Sequence, residues 1–293
     1  MIHLVTGGLG FIGSHLVKAL HARGRKVRVL DNFRTGSTSS LDSSKYDLCI
    51  GDICMERDVR NAMDGVSHVY HLAAEVSVVE SFSEPKKTVE VNINGTLNVI
   101  RAAIEHKVER FVFASSTAAS SPVNFYGLTK STGEKMLRLY QEQLPFTALR
   151  FFNVFGPAQS VAGGYSAVIP AFINALLRGE QPKIYGDGKQ KRDFVYVNTV
   201  VRALMNAALF KDAIGKVVDV GSGESRSVLE LLAEVSRVVG VDANPRFLPA
   251  RPGDVSNSVA QTREMEWCVG VTATDDRFTE SLSQTVDYYR GKR

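Results

Sequence analysis

The sequence predicts an α/β fold, a doubly wound parallel sheet with a smaller C-terminal lobe. Short runs rich in β-branched residues alternate with helical patterns through the first half of the 293-residue chain. Such alternation builds a parallel sheet through right-handed crossovers, with helices on both faces. A glycine-rich turn joins the first strand to the first helix, and the alternation becomes less regular in the second half. Together these observations indicate a Rossmann-type sheet followed by a second lobe.

Each element of the first half follows from its residue pattern. β-Branched and aromatic residues mark the strands, which are Ile2–Thr6, Lys26–Asp31, Tyr46–Ile50, His68–His71, Arg110–Ser115 and Phe146–Phe151. Apolar residues at helical spacing mark the helices, which are Phe11–Arg23, Arg57–Met63, Lys87–His106 and Tyr126–Gln143.

The second half is punctuated by Gly and Pro, for example at Gly156-Pro157. Its expected elements are the helices Tyr165–Leu177, Thr199–Phe210 and Ser227–Val239 and the strand Phe194–Val197. We therefore expect a first domain over residues 1–152 and a second lobe formed mainly by residues 153–293. A segment at about 194–212 is expected to return to the first domain.

Composition excludes several classes of protein. Thirty-five Lys and Arg residues against 31 Asp and Glu residues give a net charge of +4, and the basic residues are scattered, so no nucleic-acid partner is expected. No apolar run approaches the ~20 residues that cross a bilayer, so no membrane association is expected. Cys49, Cys54 and Cys268 lack the spacing of metal ligands. We therefore expect no metal site, and unpaired thiols fit a cytoplasmic protein.

The turn Thr6–Gly13 carries four glycines between a strand and a helix, and three of them have the spacing of a dinucleotide-binding turn. Gly7, Gly10 and Gly13 would let the backbone approach a pyrophosphate. Phe11 and Ile12 would open a helix whose free N–H groups and dipole favour an anion. This context, rather than the glycine spacing alone, predicts that the chain binds a dinucleotide.

Acidic residues follow the next two strands. Asp31 lies 18 residues after Gly13, where a carboxylate accepts hydrogen bonds from the adenosine ribose and repels a 2′-phosphate. NAD is therefore the expected cofactor, although Arg34 nearby keeps NADP open. Asp52 and Ile53 follow the third strand and are candidates for the adenine pocket. A loop cap is the alternative reading of Asp52.

Tyr126 and Lys130 lie four residues apart in a predicted helix, so they share one face. A nearby ammonium favours the phenolate, and the positive nicotinamide ring would add to that effect, so we expect the pKa of Tyr126 to move towards neutrality. The phenol would then act as a general acid and base during hydride transfer. The pair is a weak signal alone, but it gains weight because it follows a dinucleotide turn and a strand that ends at Ala114-Ser115-Ser116.

These motifs belong to a resemblance that covers nearly the whole chain. The sequence resembles the extended short-chain dehydrogenase/reductase family, and within it the nucleoside-diphosphate-sugar epimerases of the UDP-glucose 4-epimerase type. Besides the motifs above, the resemblance rests on Asp31-Asn32, Gly51–Ile53, His71–Ala74, Asn92–Thr96, Arg150–Pro157, Arg192–Val197 and Arg251–Asp254.

The resemblance implies a role for each matching residue. Ser116 would hydrogen-bond the sugar hydroxyl and pass its proton to Tyr126, and Lys130 would hold the nicotinamide ribose. Further cofactor-binding residues would be Asn32, Leu72, Ala73, Ala74 and Asn92. Substrate-binding residues would be Asn153, Tyr185, Arg192, Arg251, Asp254 and Ser258. Guanidinium groups suit the diphosphate because they donate two parallel hydrogen bonds.

The implied reaction is NAD-dependent C4 epimerisation of a UDP-hexose, UDP-glucose or UDP-galactose, through a 4-keto sugar. Tyr126 would remove the O4 proton while C4 gives up hydride, which then returns to the other face. Ser258 matches a position that is bulky in relatives confined to plain hexoses. Its small side chain therefore implies activity on UDP-N-acetylhexosamines as well.

The segment after Ser116 departs from the family pattern. Tyr126 follows Ser116 by ten residues, whereas relatives carry a longer connection. Two interpretations stay open, a connection that is short by nature and a sequence that lacks residues here, and Thr117 is the alternative hydroxyl. Residues 117–119 are Thr-Ala-Ala, where related dehydratases and decarboxylases place acidic residues, so the epimerase is favoured. A dehydratase or 4-ketoreductase with the same Tyr–Lys pair is the alternative, followed by a non-catalytic dinucleotide-binding regulator.

The resemblance also implies a homodimer, formed through the helices at residues 87–106 and 126–143. Val89, Ile93, Leu97 and Ile100 recur at helical spacing on the first of these. This pattern fits an interface or, equally, an ordinary core.

Overall fold

A computed structural model describes residues 1–38, 41–160, 167–250, 257–273 and 277–292. The chain divides into two compact units, each built from three stretches of sequence. The first unit comprises Met1–Phe151, Val200–Asp219 and Arg263–Val271. The second unit comprises Phe152–Thr199, Val220–Thr262 and Thr272–Arg293.

The regular elements take their names in chain order. The strands are β1 Ile2–Thr6, β2 Lys26–Asp31, β3 Asp47–Ile50, β4 Val66–His71, β5 Arg110–Ser116, β6 Phe146–Phe151, β7 Asn153–Phe155, β8 Lys183–Tyr185, β9 Lys191–Tyr196, β10 Lys216–Val220, β11 Ser225–Ser227, β12 Arg246–Leu248 and β13 Asn257–Ser258. The helices are α1 Phe11–Ala22, α2 Glu56–Met63, α3 Val78–Ser83, α4 Pro85–Val89, α5 Thr96–Glu105, α6 Phe125–Leu139, α7 Val168–Leu177, α8 Val197–Ala207, α9 Val228–Val239, α10 Thr262–Val269 and α11 Phe278–Arg290.

The first unit is organised around a seven-stranded sheet with the order β10-β6-β5-β4-β1-β2-β3. Strands β1 to β6 pair in parallel, and their order is that of a dinucleotide-binding sheet. The prediction of a doubly wound parallel sheet is confirmed. Because the strands are parallel, the turn that follows β1 and the segment that follows β5 lie at the same edge of the sheet.

The core of this unit lies between the sheet and helices α2 and α5. Every residue of β4 is buried, as expected for a parallel strand covered on both faces. Leu4, Val69 and Phe111 from the strands pack in one cluster with Met63 of α2 and Ile100 of α5. Burying each such side chain stabilises the fold by roughly 1.5–3 kcal/mol, so this packing holds the strand ends in place.

The prediction of one continuous helix over Lys87–His106 is wrong. Helix α4 leads into a π-helical turn over Glu90–Gly95, and α5 begins only at Thr96. The interruption has a tertiary cause, because the Asn92 side chain is drawn into hydrogen bonds with Glu75 and Thr129. Helix α3 and strand β10 were also not predicted from the sequence.

The second unit contains a small sheet in which β9 pairs with β7, β11 and β13. Asp193 of β9 is completely buried. Its carboxylate accepts hydrogen bonds from the Ser222 backbone and hydroxyl, at 2.7 and 2.8 Å, and from the backbone N–H groups of Gly223 and Ala260, at 2.9 and 3.0 Å. These four bonds compensate for burying the carboxylate and join two other chain segments to β9.

Helix α9 of the second unit has well-defined ends. Ser227 and Glu230 form a reciprocal capping box at its start, and Gly240 ends it in the left-handed region at φ 79°. Among the described residues, no helix combines the length and the apolar character needed to cross a membrane.

Candidate active site

The glycine turn after β1 has two positions at which no side chain fits. Gly7 has φ +68°, and a Cβ there would lie 2.8 Å from the backbone nitrogen of Ala73. A Cβ on Gly13 would overlap the carbonyl of Gly7 and lie 2.7 Å from the Cα of Gly8. Both contacts are too short for a side chain, so the turn depends on bare backbone.

The start of α1 points its free N–H groups out of this turn. Gly10 is the N-cap, and among the described residues no side chain caps the helix. The first turn, which begins with Phe11 and Ile12, contains no acidic residue. Uncapped N–H groups and the positive end of the helix dipole form a ready site for an anion.

Asp31 holds the turn from the end of β2. One carboxylate oxygen accepts the Leu9 N–H at 3.0 Å, and the other accepts the Phe33 N–H at 2.9 Å. Asn32 next to it donates to the Asp52 carboxylate at 2.9 Å. Burial alone would raise the pKa of Asp52, but hydrogen bonds from the Cys54 backbone and the Asn32 amide lower it overall. Asp52 therefore remains ionised at neutral pH.

Other predicted cofactor residues line the same edge. The backbone N–H groups of Leu72 and Ala73 donate to the Thr6 carbonyl and hydroxyl, at 3.2 Å each, and Ala74 follows them. Ile53 is only 4% exposed and packs in the core, so its contact with a ligand stays a prediction.

Asn92 ties the segment after β4 to α6. Its amide oxygen accepts the Glu75 N–H at 2.8 Å, and its nitrogen donates to the Thr129 hydroxyl at 3.0 Å. The Glu75 carboxylate forms an ion pair with Arg34. This ion pair occupies the guanidinium of Arg34, the group that would otherwise be available to a 2′-phosphate of NADP.

The end of β5 carries the predicted hydroxyl against the predicted phenol. Ser116 caps the 3₁₀ turn Thr117–Ala119 by accepting the Ala118 N–H at 3.3 Å. The Ser116 side chain is also near enough to the phenol of Tyr126 to lower its pKa. The structure therefore brings Ser116, rather than Thr117, to Tyr126.

Lys130 lies one turn further along α6. It is only 4% exposed, its ammonium donates to the Ala114 carbonyl at 2.7 Å, and its Nζ lies 4.9 Å from the centre of the Phe113 ring. Burial lowers the pKa of Lys130 to about 8, and the charge of Glu134 opposes the shift. The ammonium thus remains mostly protonated at neutral pH.

Lys130 alone does not produce the expected lowering of the Tyr126 pKa. Burial raises the pKa of the Tyr126 phenol, and the hydrogen bond from Ser116 lowers it only in part. Lys130 directs its proton to the Ala114 carbonyl, so its charge does not offset the desolvation. A bound cationic ring would be the further charge needed to favour the phenolate.

Hydrogen bonds anchor both ends of the short connection between Ser116 and Tyr126. The Ser120 hydroxyl donates to the Thr117 carbonyl at 2.7 Å, and Asn124 caps α6 by accepting the Gly127 N–H at 2.8 Å. A Cβ on Gly127 would lie 2.5 Å from the Ala118 carbonyl oxygen. Glycine at 127 thus lets α6 approach the turn closely enough for Tyr126 to reach Ser116.

The predicted substrate residues lie on several elements of the second unit. Asn153 donates to the Asp193 carbonyl at 2.8 Å, and Arg192 on β9 pairs in register with Ser258 on β13. Tyr185 ends β8, in a separate two-stranded sheet with β12. Arg251 and Asp254 lie outside the described residues, so their placement remains a prediction.

Three charged residues of the structure were not among the residues predicted from the sequence. Glu134, one helical turn after Lys130, forms a bidentate ion pair with Arg150. Arg226 on β11 pairs in register with Arg192 on β9. The helical spacing from Lys130 to Glu134 could have signalled the first of these. Among the described residues, no cluster of three or more His, Cys, Asp or Glu side chains could hold a metal ion.

Comparison with known proteins agrees with this geometry. Residues 3–221 match the NAD dependent epimerase/dehydratase family. The chain belongs to this family. A UDP-glucose 4-epimerase of Mycolicibacterium smegmatis is 33% identical, and the alignment covers 99% of this chain and 98% of the relative. The predicted family resemblance is thus confirmed.

Two solved structures of this family are closely similar. A UDP-glucose 4-epimerase from Thermotoga maritima, solved with UDP-glucose, superposes with a TM-score of 0.95 at 32% identity, covering 100% of this chain and 99% of that one. A UDP-N-acetylglucosamine 4-epimerase from Methanobrevibacter ruminantium, solved with UDP-N-acetylmuramic acid, superposes with a TM-score of 0.94 at 34% identity. That superposition covers 99% of this chain and 98% of the solved chain.

The residues of this epimerase family member fit NAD. The bare backbone at Gly7 and Gly13 leaves room that a Cβ would fill, and the uncapped start of α1 supplies donors for a pyrophosphate. The buried carboxylate of Asp31 lies at the end of β2, where a 2′-phosphate would be repelled. The prediction of NAD as cofactor is confirmed by the family.

We expect Gly127→Ala to destabilise the protein. Helix propensity alone would favour alanine by ~1 kcal/mol, but the new Cβ would lie 2.5 Å from the Ala118 carbonyl. Forced displacement of packed backbone costs about 1–3 kcal/mol, so we expect a net loss in the free energy of unfolding measured by urea denaturation. Lys135→Ala, at an exposed position of α6, is the control. Equal stability of the two variants would contradict the proposed close packing.

Proposed function

We propose that this chain catalyses NAD-dependent C4 epimerisation of a UDP-hexose. The observation that carries the proposal is the placement of Ser116 at the end of β5 beside Tyr126 and the buried Lys130 of α6, at the sheet edge that also holds the glycine turn. A hydroxyl, a phenol and an ammonium at one strand end form a proton-transfer site. The names of the relatives support UDP-sugars as substrates.

Each residue of this proton-transfer site has a distinct task in the proposal. NAD, when bound, supplies the acceptor and donor of hydride. Ser116 orients the sugar O4 hydroxyl, and Tyr126 takes its proton and later returns it. Lys130 holds the nicotinamide ribose and keeps a positive charge beneath the phenol. Because burial raises the pKa of Tyr126, the phenol would release its own proton to solvent only when a further cation lies beside it, and the phenolate could then accept the O4 proton.

We assign cofactor binding to the first unit and sugar-nucleotide binding mainly to the second. Asn153, Arg192, Arg251 and Asp254 are proposed to bind the diphosphate and nucleoside, as the resemblance implies. Arginine on β9 suits this task, because a guanidinium donates two parallel hydrogen bonds to phosphate. Tyr185 would lie against the base.

The epimerase is favoured over a dehydratase by the turn at residues 117–119. Elimination of water across C5 and C6 needs an acid and a base there, and Thr117, Ala118 and Ala119 provide no carboxyl group. A 4-ketoreductase with the same Tyr–Lys pair would consume reduced cofactor at every turnover. A non-catalytic regulator would have no need of the Ser116–Tyr126 contact.

We expect Tyr126→Phe to lower kcat for UDP-glucose epimerisation by about 10²–10⁴-fold, because general acid–base catalysis contributes this much. NAD should still bind, since the glycine turn is unchanged. Turnover is measured by NMR from the C4 configuration of the sugar, with Tyr140→Phe as the control on the same helix. Near-normal turnover of Tyr126→Phe would overturn the assignment.

The small side chain of Ser258 is proposed to admit an N-acetyl group at C2 of the sugar. Ser258 is partly buried on β13, beside Arg192 in the sheet register. A hydroxymethyl group leaves space that a phenol would fill. The solved relative named as a UDP-N-acetylglucosamine 4-epimerase supports this substrate class.

We expect Ser258→Tyr to lower kcat/KM for UDP-N-acetylglucosamine by at least ~10-fold, with UDP-glucose little affected. A misfit of a few atoms in a pocket is worth about 1–3 kcal/mol. Ser258→Ala, which keeps the space open, should retain both activities. If Ser258→Tyr left the ratio of the two kcat/KM values unchanged, Ser258 would not be the gate.

We also propose that the protein is a cytoplasmic homodimer. Cys49, Cys54 and Cys268 are free thiols, as expected in a reducing compartment. An exposed apolar patch on α3 and the start of α6 supports a self-association surface. Its members are Val79, Phe82, Phe125 and Leu128.

The patch refines the interface expected at residues 87–106 and 126–143. Phe82 and Phe125 are in edge-to-face contact, with ring centres 6.2 Å apart. Ile100, by contrast, is wholly buried in the core. The proposed interface therefore uses α3 and α6 more than α5.

We expect Phe82→Glu to convert the dimer to a monomer, because a buried, unpaired carboxylate opposes association. The mass in solution is measured by light scattering after size exclusion. Phe247→Glu is the matched control, because Phe82 and Phe247 are both 54% exposed and Phe247 lies on β12. A Phe82→Glu variant with the mass of the unchanged protein would refute this interface.

A further inference from the structure

A buried carboxylate lies directly behind Lys130. Glu134 is only 5% exposed, and its Oε1 accepts the Ser115 hydroxyl at 2.5 Å and the Arg150 Nε at 2.8 Å. Its Oε2 accepts the Arg150 Nη2 at 2.7 Å. One carboxylate thus connects α6 with the neighbouring strands β5 and β6.

This carboxylate continues a row of residues on one face of α6. Tyr126, Lys130 and Glu134 recur every four residues, so they lie one above the other on the helix. Each contacts the end of β5: Tyr126 contacts Ser116, Lys130 contacts the Ala114 carbonyl, and Glu134 contacts Ser115. The third contact secures the register in which the first two are made.

The charges around Lys130 come from three elements. On its own helix, Tyr126 is neutral below its raised pKa and Glu134 is negative. From β4 comes His71, whose pKa burial and the charge of Lys130 lower to about 3, so it is neutral. Arg150 from β6 lies beyond Glu134 and binds its far side. In the described part of the chain, Glu134 is therefore the anion that supports the Lys130 charge.

We propose that Glu134 is a positioning residue of the active site, which maintains the charge and the placement of Lys130 through its bonds to Ser115 and Arg150. This inference rests on the proposed function, in which Lys130 must be cationic to hold the nicotinamide ribose. Glu134 itself touches neither substrate nor cofactor in this proposal. Arg150 tunes the effect, because it neutralises part of the Glu134 charge.

Removing either member of the ion pair should move the Lys130 pKa in opposite directions. Glu134→Gln removes the supporting anion, so the Lys130 ammonium becomes less stable and its pKa falls below about 8. Arg150→Gln leaves Glu134 with its full charge, so the Lys130 pKa rises. Both variants break the same contact between α6 and β6, so a purely structural role predicts the same response in both.

The test is an NMR titration of protein labelled at the lysine Cε, with Lys130→Met used to assign the signal. We expect Glu134→Gln to lower the midpoint by about one pH unit and Arg150→Gln to raise it. Shifts of the same sign, or no shift in either variant, would overturn the proposal. Ser115→Ala, which keeps both charges, should shift the midpoint least. If Glu134→Gln does not fold, the direction in which Arg150→Gln moves the Lys130 midpoint still tests the proposal, and a downward shift or no shift would overturn it.

A second readout distinguishes this inference from the proposed function. The alkaline limb of the kcat profile should move to lower pH in Glu134→Gln and to higher pH in Arg150→Gln, because the Lys130 ammonium is required. The NMR titration needs neither substrate nor turnover. Opposite NMR shifts without any epimerase activity would therefore refute the proposed function but leave the electrostatic role of Glu134 intact.

Discussion

The register between helix α6 and the end of strand β5 is the constraint on which the rest of the site depends. Tyr126, Lys130 and Glu134 each contact one residue of the strand end. A slip of one residue along the helix would turn all three away from the strand, because neighbouring helical positions point about 100° apart. Proton transfer, cofactor binding and the buried ion pair therefore depend on a single packing contact.

Two glycines allow this register by removing side chains from the contact. Gly127 approaches the Ala118 carbonyl, where a Cβ would lie 2.5 Å from the oxygen. Gly133 packs on Phe113, where a Cβ would lie 2.6 Å from the ring. The same ring lies beside the Lys130 ammonium. Close packing of helix on strand thus buries the lysine, and burial in turn lowers its pKa to about 8.

The parallel sheet then places this proton-transfer site beside the cofactor turn. β1 and β5 are separated in the sheet only by β4, and both end at the same edge. Asn92 and Thr129 add a hydrogen bond of 3.0 Å between the segment after β4 and α6. The fold thereby brings together, from residues far apart in sequence, the two groups of side chains that we propose to form the hydride-transfer site.

Much of the fold and of the candidate site could be predicted from the sequence, because the residue patterns that indicate them are local. A few neighbouring residues are enough to recognise the glycine turn, Asp31 and the Tyr126–Lys130 pair. The missed features are tertiary. The π turn at Glu90–Gly95 exists because Asn92 bonds to distant groups, and the raised pKa of Tyr126 depends on burial that spacing does not reveal.

The Glu134–Arg150 pair was missed for the same reason. The two residues lie 16 positions apart, and only the pairing of β5 with β6 brings them together. Helical spacing could place Glu134 behind Lys130, but it could not name the partner that shares its charge. Sequence patterns therefore pointed to the groups that we propose to react more readily than to the groups that we propose to position them.

The central claim, a redox-neutral inversion at C4, is tested most directly with UDP-glucose deuterated at C4. Hydride that leaves C4 and returns to it within one active site carries its label with it, so the account predicts UDP-galactose that retains deuterium at C4, with no net formation of reduced cofactor. Loss of the label to solvent would contradict the account, as would accumulation of a keto sugar with reduced cofactor.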